Sequence, residues 1–178
     1  MSPAMRFTLS LACLASLTAR VGGDPAPQPQ MEFTQGLQGT FNADWEGVAG
    51  RTYFTQFSLD LETWYYAPFI DFGDGELNRG IESDSEKFFL RLNYGDFPWI
   101  NSLQDAMNAD LDGDGLINIF EVMNGYDPFE IDSDDDEIPD GAEDLDQDGS
   151  LTILEQATGR NPLVKDHPAV KLSVVVGN

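Results

Sequence analysis

Residues 110–155 contain 17 Asp or Glu and no Lys or Arg. A stretch of that composition repels itself and cannot build an apolar core alone. A plain solvated charge run would be disordered, but three features oppose that reading. The acids recur at set intervals, glycines sit at fixed offsets, and apolar residues interleave. Any fold available to this segment must gather like charges around something positive. The rest of the chain does not supply it: 32 acids face 9 bases over 178 residues, a formal net charge of −23. That balance excludes binding to nucleic acid through phosphates and to an anionic membrane surface, and it favours cations.

The spacing names the cation. With Asp110 as position 1 of DLDGDGLINIFE, Asp112 and Asp114 hold positions 3 and 5, Gly115 position 6, Leu116 position 7, Asn118 position 9 and Glu121 position 12. This is the EF-hand calcium pattern. Ca2+ is a hard cation that takes about six to eight oxygens. Alternate carboxylates wrap it, the position-7 carbonyl adds a ligand, and the last glutamate closes the site with two oxygens. Glycine at position 6 permits the left-handed turn. The pattern returns in DLDQDGSLTILE, residues 144–155: Asp144, Asp146 and Asp148, then Gly149, Ser150, Thr152 and Glu155. Gly125 and Gly159 follow the two glutamates, and Pro128 and Pro162 come next. Each loop is therefore expected to lead into a short helix with a glycine stop.

A third loop, DSDDDEIPDGAE at 132–143, lies between them. Asp132, Asp134 and Asp136 hold positions 1, 3 and 5, Ile138 position 7, Asp140 position 9 and Glu143 position 12. Glu137 replaces the glycine at position 6, at a cost of ~1 kcal/mol, which makes this site the weakest of the three. Pro139 at position 8 has no N–H and cannot join a backbone bridge between paired loops. Glu143 abuts Asp144, so no helix fits between these loops. A short helix over 102–109 precedes the first loop, with Asn101 or Ser102 as its N-cap. A calcium sensor needs helix–loop–helix pairs that open a Met-rich groove, and the chain has neither.

The single cysteine, Cys13, and the single histidine, His167, exclude a disulfide framework, a thiolate zinc site and a multi-histidine centre. Cys13 lies in a run of apolar and small residues, FTLSLACLASLT, which follows a positively charged start and is too short to span a bilayer. Residues 1–23 read as a signal peptide, cleaved after Ala19 or Gly23. Residues 24–32 are a Pro-rich linker, 33–99 a small β module, 100–165 the calcium repeat region and 166–178 a tail. No later apolar run is long enough for a membrane span. The tail end, SVVVGN, is a candidate edge strand.

The β module reads as three or four antiparallel strands. RTYFTQFSL (51–59) places Tyr53, Thr55, Phe57 and Leu59 on one face. Residues 64–70 form an aromatic run in which Pro68 marks an edge or a bulge. In 87–94, Phe88, Leu90, Leu92 and Tyr94 alternate with Phe89, Arg91 and Asn93, and 41–48 offers a further strand. About 60 residues is marginal for an independent core, so the sheet should pack on something else. Trp45, Trp64, Tyr65, Tyr66 and Trp99 are a sugar-stacking set or, as the favoured reading, core and cross-strand pairs. Asp71, Asp74, Glu76 and Asp96 are carboxylates to consider as a catalytic pair, and no nucleophile–base constellation accompanies them.

NGYDPFEIDSDDDEIPDGAED (124–144), with the loops on either side, resembles bacterial thrombospondin type-3 repeats, departing from that unit at Asp135 and Glu137. The resemblance implies calcium-stabilised extracellular modules of stalks and surface proteins, without catalysis. The loops also resemble dockerins, which bind cohesins. Glu121 and Glu155, where dockerins usually carry Asp, and the early Gly125 and Gly159 count against that family. FSLDLETW (57–64) resembles the SxDLxxW turn of short β modules in secreted bacterial proteins, where it joins two strands. Together these give a mostly β N-terminal module followed by a loop-rich calcium repeat array with short helices. The expected function is a secreted, periplasmic or cell-surface calcium-binding protein of structural or adhesive role, and not an enzyme. The alternative is a recognition module that binds a surface protein or a glycan.

Overall fold

The structure is a computed structural model and describes residues 29–35, 40–82 and 88–166. Residues 1–23, read above as a signal peptide, most of the 24–32 linker, His167 and the SVVVGN end lie outside the described residues. The expected order is present: antiparallel strands come first, then acidic loops with short helices. Among the described residues the strands number six, in two sheets, rather than three or four. In chain order they are β1 (Glu32–Gln35), β2 (Thr40–Glu46), β3 (Arg51–Ser58), β4 (Tyr65–Phe72), β5 (Glu76–Glu82) and β6 (Phe89–Asp96). β2 is central in a β1-β2-β5 sheet, and β3 is central in a β4-β3-β6 sheet. All neighbours run antiparallel.

The second sheet is covered on both faces. Tyr53 of β3, with Leu90 and Leu92 of β6, packs against Ala43 and Trp45 of β2 in the first sheet. Phe57, Leu77 and Tyr94 extend this core. On the opposite face, Phe54 of β3 and Tyr66 and Ile70 of β4 meet Ile100, Ala106 and Val122, which belong to the region that carries the acidic loops. Two-sided burial explains why β3 is almost continuously buried and not simply alternating. Its Thr, Tyr and Phe content suits that place. The expected one-face set holds for Tyr53 and Phe57 and fails for Leu59, which lies past the strand and is exposed.

The connections between the sheets run together. Gly47 N–H donates to Gly75 O at 2.7 Å, and Gly50 N–H to Gly73 O at 3.1 Å. A Cβ on Gly73 would sit 2.0 Å from Val48 O, so only glycine permits this approach. Arg79 crosses from β5 to pair with Asp71 on β4, and Arg51 makes two bonds to Asp96 at 2.8 and 2.9 Å. Two of the carboxylates considered for catalysis are thus committed to arginines. β4 is an edge strand, and its register against β3 shifts between Phe54 and Gln56, opposite the segment that holds Pro68. Ser58 and Asp60 organise the SxDLxxW turn between β3 and β4. The Asp60 carboxylate accepts from the N–H groups of Glu62 and Thr63, both at 2.8 Å, while Leu61 takes φ 71°.

Three short helices follow: α1 (Leu103–Asn108), α2 (Asn118–Asn124) and α3 (Thr152–Thr158). Ser102 caps α1 by accepting from Asp105 N–H at 3.1 Å, and Asp105 accepts from Asn101 N–H at 3.0 Å. These two bonds fix the start of the helix. α2 and α3 end on Gly125 and Gly159, with φ 91° and 69°, as the sequence predicts. Ala106 of α1 and Val122 of α2 press onto the second sheet. Burying Val122 stabilises the contact by about 1.5–3 kcal/mol.

Candidate metal centres

The three acidic loops share one backbone design. At position 9, the N–H of Asn118, Asp140 and Thr152 closes its loop onto the carbonyl of the residue before position 1: Ala109 at 2.7 Å, Ile131 at 2.9 Å and Glu143 at 2.8 Å. At position 6, Gly115, Glu137 and Gly149 donate to the first aspartate of the loop at 3.2, 2.8 and 3.0 Å. At position 7, Leu116, Ile138 and Ser150 donate to the third aspartate at 2.7, 2.8 and 2.8 Å. Aspartate side chains therefore fold each loop by accepting backbone N–H groups.

Position 6 has positive φ in all three loops: 101° at Gly115, 75° at Glu137 and 94° at Gly149. The middle loop accepts the strain that the sequence predicts for Glu137. Position 4 is also left-handed, with Gly113 at 89°, Asp135 at 60° and Gln147 at 60°. The sequence reading missed that second reversal, although glycine in the first loop signals it.

Each loop brings its aspartates together. Asp110, Asp112 and Asp114 offer carboxylate oxygens within 4.8 Å of one another. So do Asp132, Asp134 and Asp136, and likewise Asp144, Asp146 and Asp148. These are carboxylate groups able to hold metal ions, and all the donors are oxygen. Exposed acidic groups commonly exist without an ion, so burial decides what they mean.

Glu121 and Glu155, at position 12, are fully buried on α2 and α3, and none of their four carboxylate oxygens has a hydrogen-bond partner. Asp112 and Asp146 each hold one further buried, unpartnered oxygen. A buried ionised carboxylate without a partner costs several kcal/mol. Burial first, then the charges of Asp112, Asp114 and Asp110, push the Glu121 carboxyl up to about 9. Burial, reinforced by Asp114 and Asp110, pushes Asp112 up to about 6. Glu155 is raised by burial and by Asp146 and Asp148. A divalent cation among these oxygens removes the burial penalty and the repulsion together, so the donor sets of the first and third loops fit one.

The middle loop is built differently. A 3-10 turn, Asp140–Ala142, replaces the helix, because the next loop starts at Asp144. Asp140 is buried, but Ser133 occupies both of its oxygens, through its N–H and its hydroxyl. Glu143 is only partly buried. Its aspartates gather without a sealed glutamate behind them. Position 9 differs between the other loops: Asn118 donates its amide N–H to Ala106 O at 2.8 Å and keeps its Oδ1 buried and unpartnered, while the Thr152 hydroxyl donates to Glu143 O at 3.1 Å.

Two further residues touch the sites that no spacing rule points to. Gln156 on α3 reaches the first loop, accepting from Ile117 N–H at 2.8 Å and donating to Gly115 O at 3.1 Å. Its amide stands in for the backbone bridge that EF-hand loops usually make with a second loop. Asp166, beyond α3, lies against the third loop. The aromatic side chains do not form one platform. Trp45 lies in the core between the sheets and Tyr66 in the core beneath the helices, while Tyr65 and Trp99 are exposed.

Compared with protein-family models, with curated proteins and with solved structures, the chain shows no significant match. The fold and the sites define an antiparallel β protein bearing several all-oxygen groups that could hold metal ions. Among the described residues no helix is long and apolar enough to cross a membrane.

Proposed function

We propose that this chain is a secreted or cell-surface calcium-binding protein in which Ca2+ folds the acidic loops onto the β sheets, in a structural or adhesive role and without catalysis. The observation that carries the reading is the burial of Glu121 and Glu155 with every carboxylate oxygen unpartnered beside an aspartate trio. Ca2+ suits the site better than Mg2+. A position-12 glutamate able to give two oxygens favours a larger ion of flexible geometry, whereas Mg2+ demands a near-ideal octahedron and keeps its water. The thrombospondin type-3-like order of the loops, with a middle loop that has no helices of its own, supports a rigid spacer and not a sensor. The leader-like N-terminus supports an extracellular place, where millimolar calcium keeps weak sites filled.

Calorimetric titration of the full chain with Ca2+ and with Mg2+ tests this. The expected result is two tight Ca2+ sites and one weaker site, with Mg2+ much poorer. Fewer than two bound Ca2+ per chain at millimolar calcium contradicts it.

A further inference from the structure

The third loop has an acidic neighbour that its twelve-residue pattern does not contain. Asp148, Glu155 and Asp166 each offer an oxygen within 4.8 Å of the others, and the fully buried Glu155 between them has no hydrogen-bond partner on either oxygen. The segment after α3 is held there by its own contacts. Asp166 N–H donates to Asp148 Oδ2 at 3.0 Å, and the Lys165 ammonium reaches Gln147 O at 3.4 Å. Pro162 is buried and turns the chain back after the left-handed Gly159.

The first loop makes an instructive contrast. Its position-5 residue, Asp114, also accepts a backbone N–H from outside the loop, that of Gly141 at 2.7 Å. Glycine brings no side chain there, and the adjacent Asp140 is committed to Ser133. At the third loop the same role falls to a residue with a carboxylate.

We propose that Asp166 is a ligand of the third metal site, so that the segment following α3 is clamped by the metal; this rests on the calcium reading above. Asp166 adds a further negative oxygen donor to a site whose affinity rises with ligand charge. Arg160 Nε lies 3.0 Å from Asp166 Oδ2, an ion pair that holds the carboxylate beside the loop, and that oxygen is buried without a hydrogen-bond partner. The third site then exceeds the first in charge and adds a metal tie to the contacts that already hold residues 160–166.

The test is an NMR calcium titration of the full chain that follows the amide of Gly149 for the third loop and of Gly115 for the first. Asp166→Asn keeps the backbone N–H to Asp148 and removes the charge. It should shift the Gly149 midpoint by about 10-fold or more, and by more than the Gly115 midpoint. Arg160→Gln removes the ion pair and leaves the carboxylate, and should hold or lower the Gly149 midpoint. An unchanged Gly149 midpoint in Asp166→Asn overturns the proposal. So does equal weakening by both variants, which would make the Arg160–Asp166 pair a purely structural tie. Wild-type protein whose Gly149 and Gly115 amides ignore calcium overturns the calcium reading itself, a different result from wild-type binding that Asp166→Asn leaves untouched.

Discussion

Glu121 and Glu155 set the first and third loops apart from the middle one. Their carboxylates are sealed from water without partners, whereas Glu143 at the same position of the middle loop is partly buried. Glu121→Gln and Glu155→Gln should each weaken one site strongly, while Asn118→Ala and Glu143→Gln cost far less. Calorimetry on the four variants checks this, and equal losses would contradict the assignment. The same burial sets a pH dependence. In metal-free protein the Glu121 carboxyl is pushed from its ordinary 4.5 up to about 9, so the folded form binds more protons than the unfolded chain between those values. Metal-free protein should therefore lose stability as pH rises from about 5 to about 9. A bound ion replaces the proton, so calcium stabilises most at the alkaline end and its binding releases protons. Melting curves near pH 5.5 and pH 8.5, with and without chelator, test both signs; a chelated protein that gains stability with rising pH would contradict them. The aspartates and glutamates of the first and third loops were legible in the sequence because ligand chemistry fixes their spacing locally. Asp166 and Gln156 were not, because they arrive from 11 or more residues beyond the loop that they touch, or from another repeat.

At the level of elements, α3 serves two sites at once. Glu155 faces the third loop, and the next residue, Gln156, fills the backbone bridge of the first. Gln156→Ala removes two hydrogen bonds worth about 1 kcal/mol each. The first loop should then bind calcium several-fold more weakly and the third should change less, readable from the Gly115 and Gly149 amides; an unaltered first loop would show the bridge to be dispensable. A second junction joins sheet to loops: the Tyr66 hydroxyl donates to Asp127 at 2.9 Å and accepts from Asn93 at 3.0 Å, next to Gln56 and Arg91. Tyr66→Phe leaves Asp127 without this donor and should cost about 1–3 kcal/mol in urea unfolding. No measurable loss would mean that water replaces the hydroxyl. β3 and β4 were legible because aromatic and β-branched residues dominate them, β6 because its apolar residues alternate, and β2 only as a further strand over 41–48. β1 has four residues, and β5 carries Arg79 and Gly80, so both escaped notice as short or polar edge strands of the outer sheet.

At the scale of the molecule, two apolar cores share the second sheet. One lies between the sheets and needs no metal. The other sits between the second sheet and α1 and α2, so it depends on loops that bear 17 like charges over residues 110–155. The sequence could foresee that a module of about 60 residues must lean on something. It could not show that the acidic array itself is the support, because Phe54, Ile100 and Val122 are far apart in the chain and meet only in three dimensions. Helices of six or seven residues do not persist alone. A site filled at about 100-fold above its Kd adds roughly 2.7 kcal/mol to the folded form. Two or three such sites supply much of a small domain's stability of ~5–15 kcal/mol. Limited proteolysis with and without chelator, read by mass spectrometry, tests this most directly. With calcium, residues 103–166 should resist cleavage. Under chelation they should be cut rapidly within the acidic loops, while β2 to β6 persist longer through the core between the sheets. A cleavage pattern that is the same in both conditions would contradict calcium-dependent folding of the acidic array.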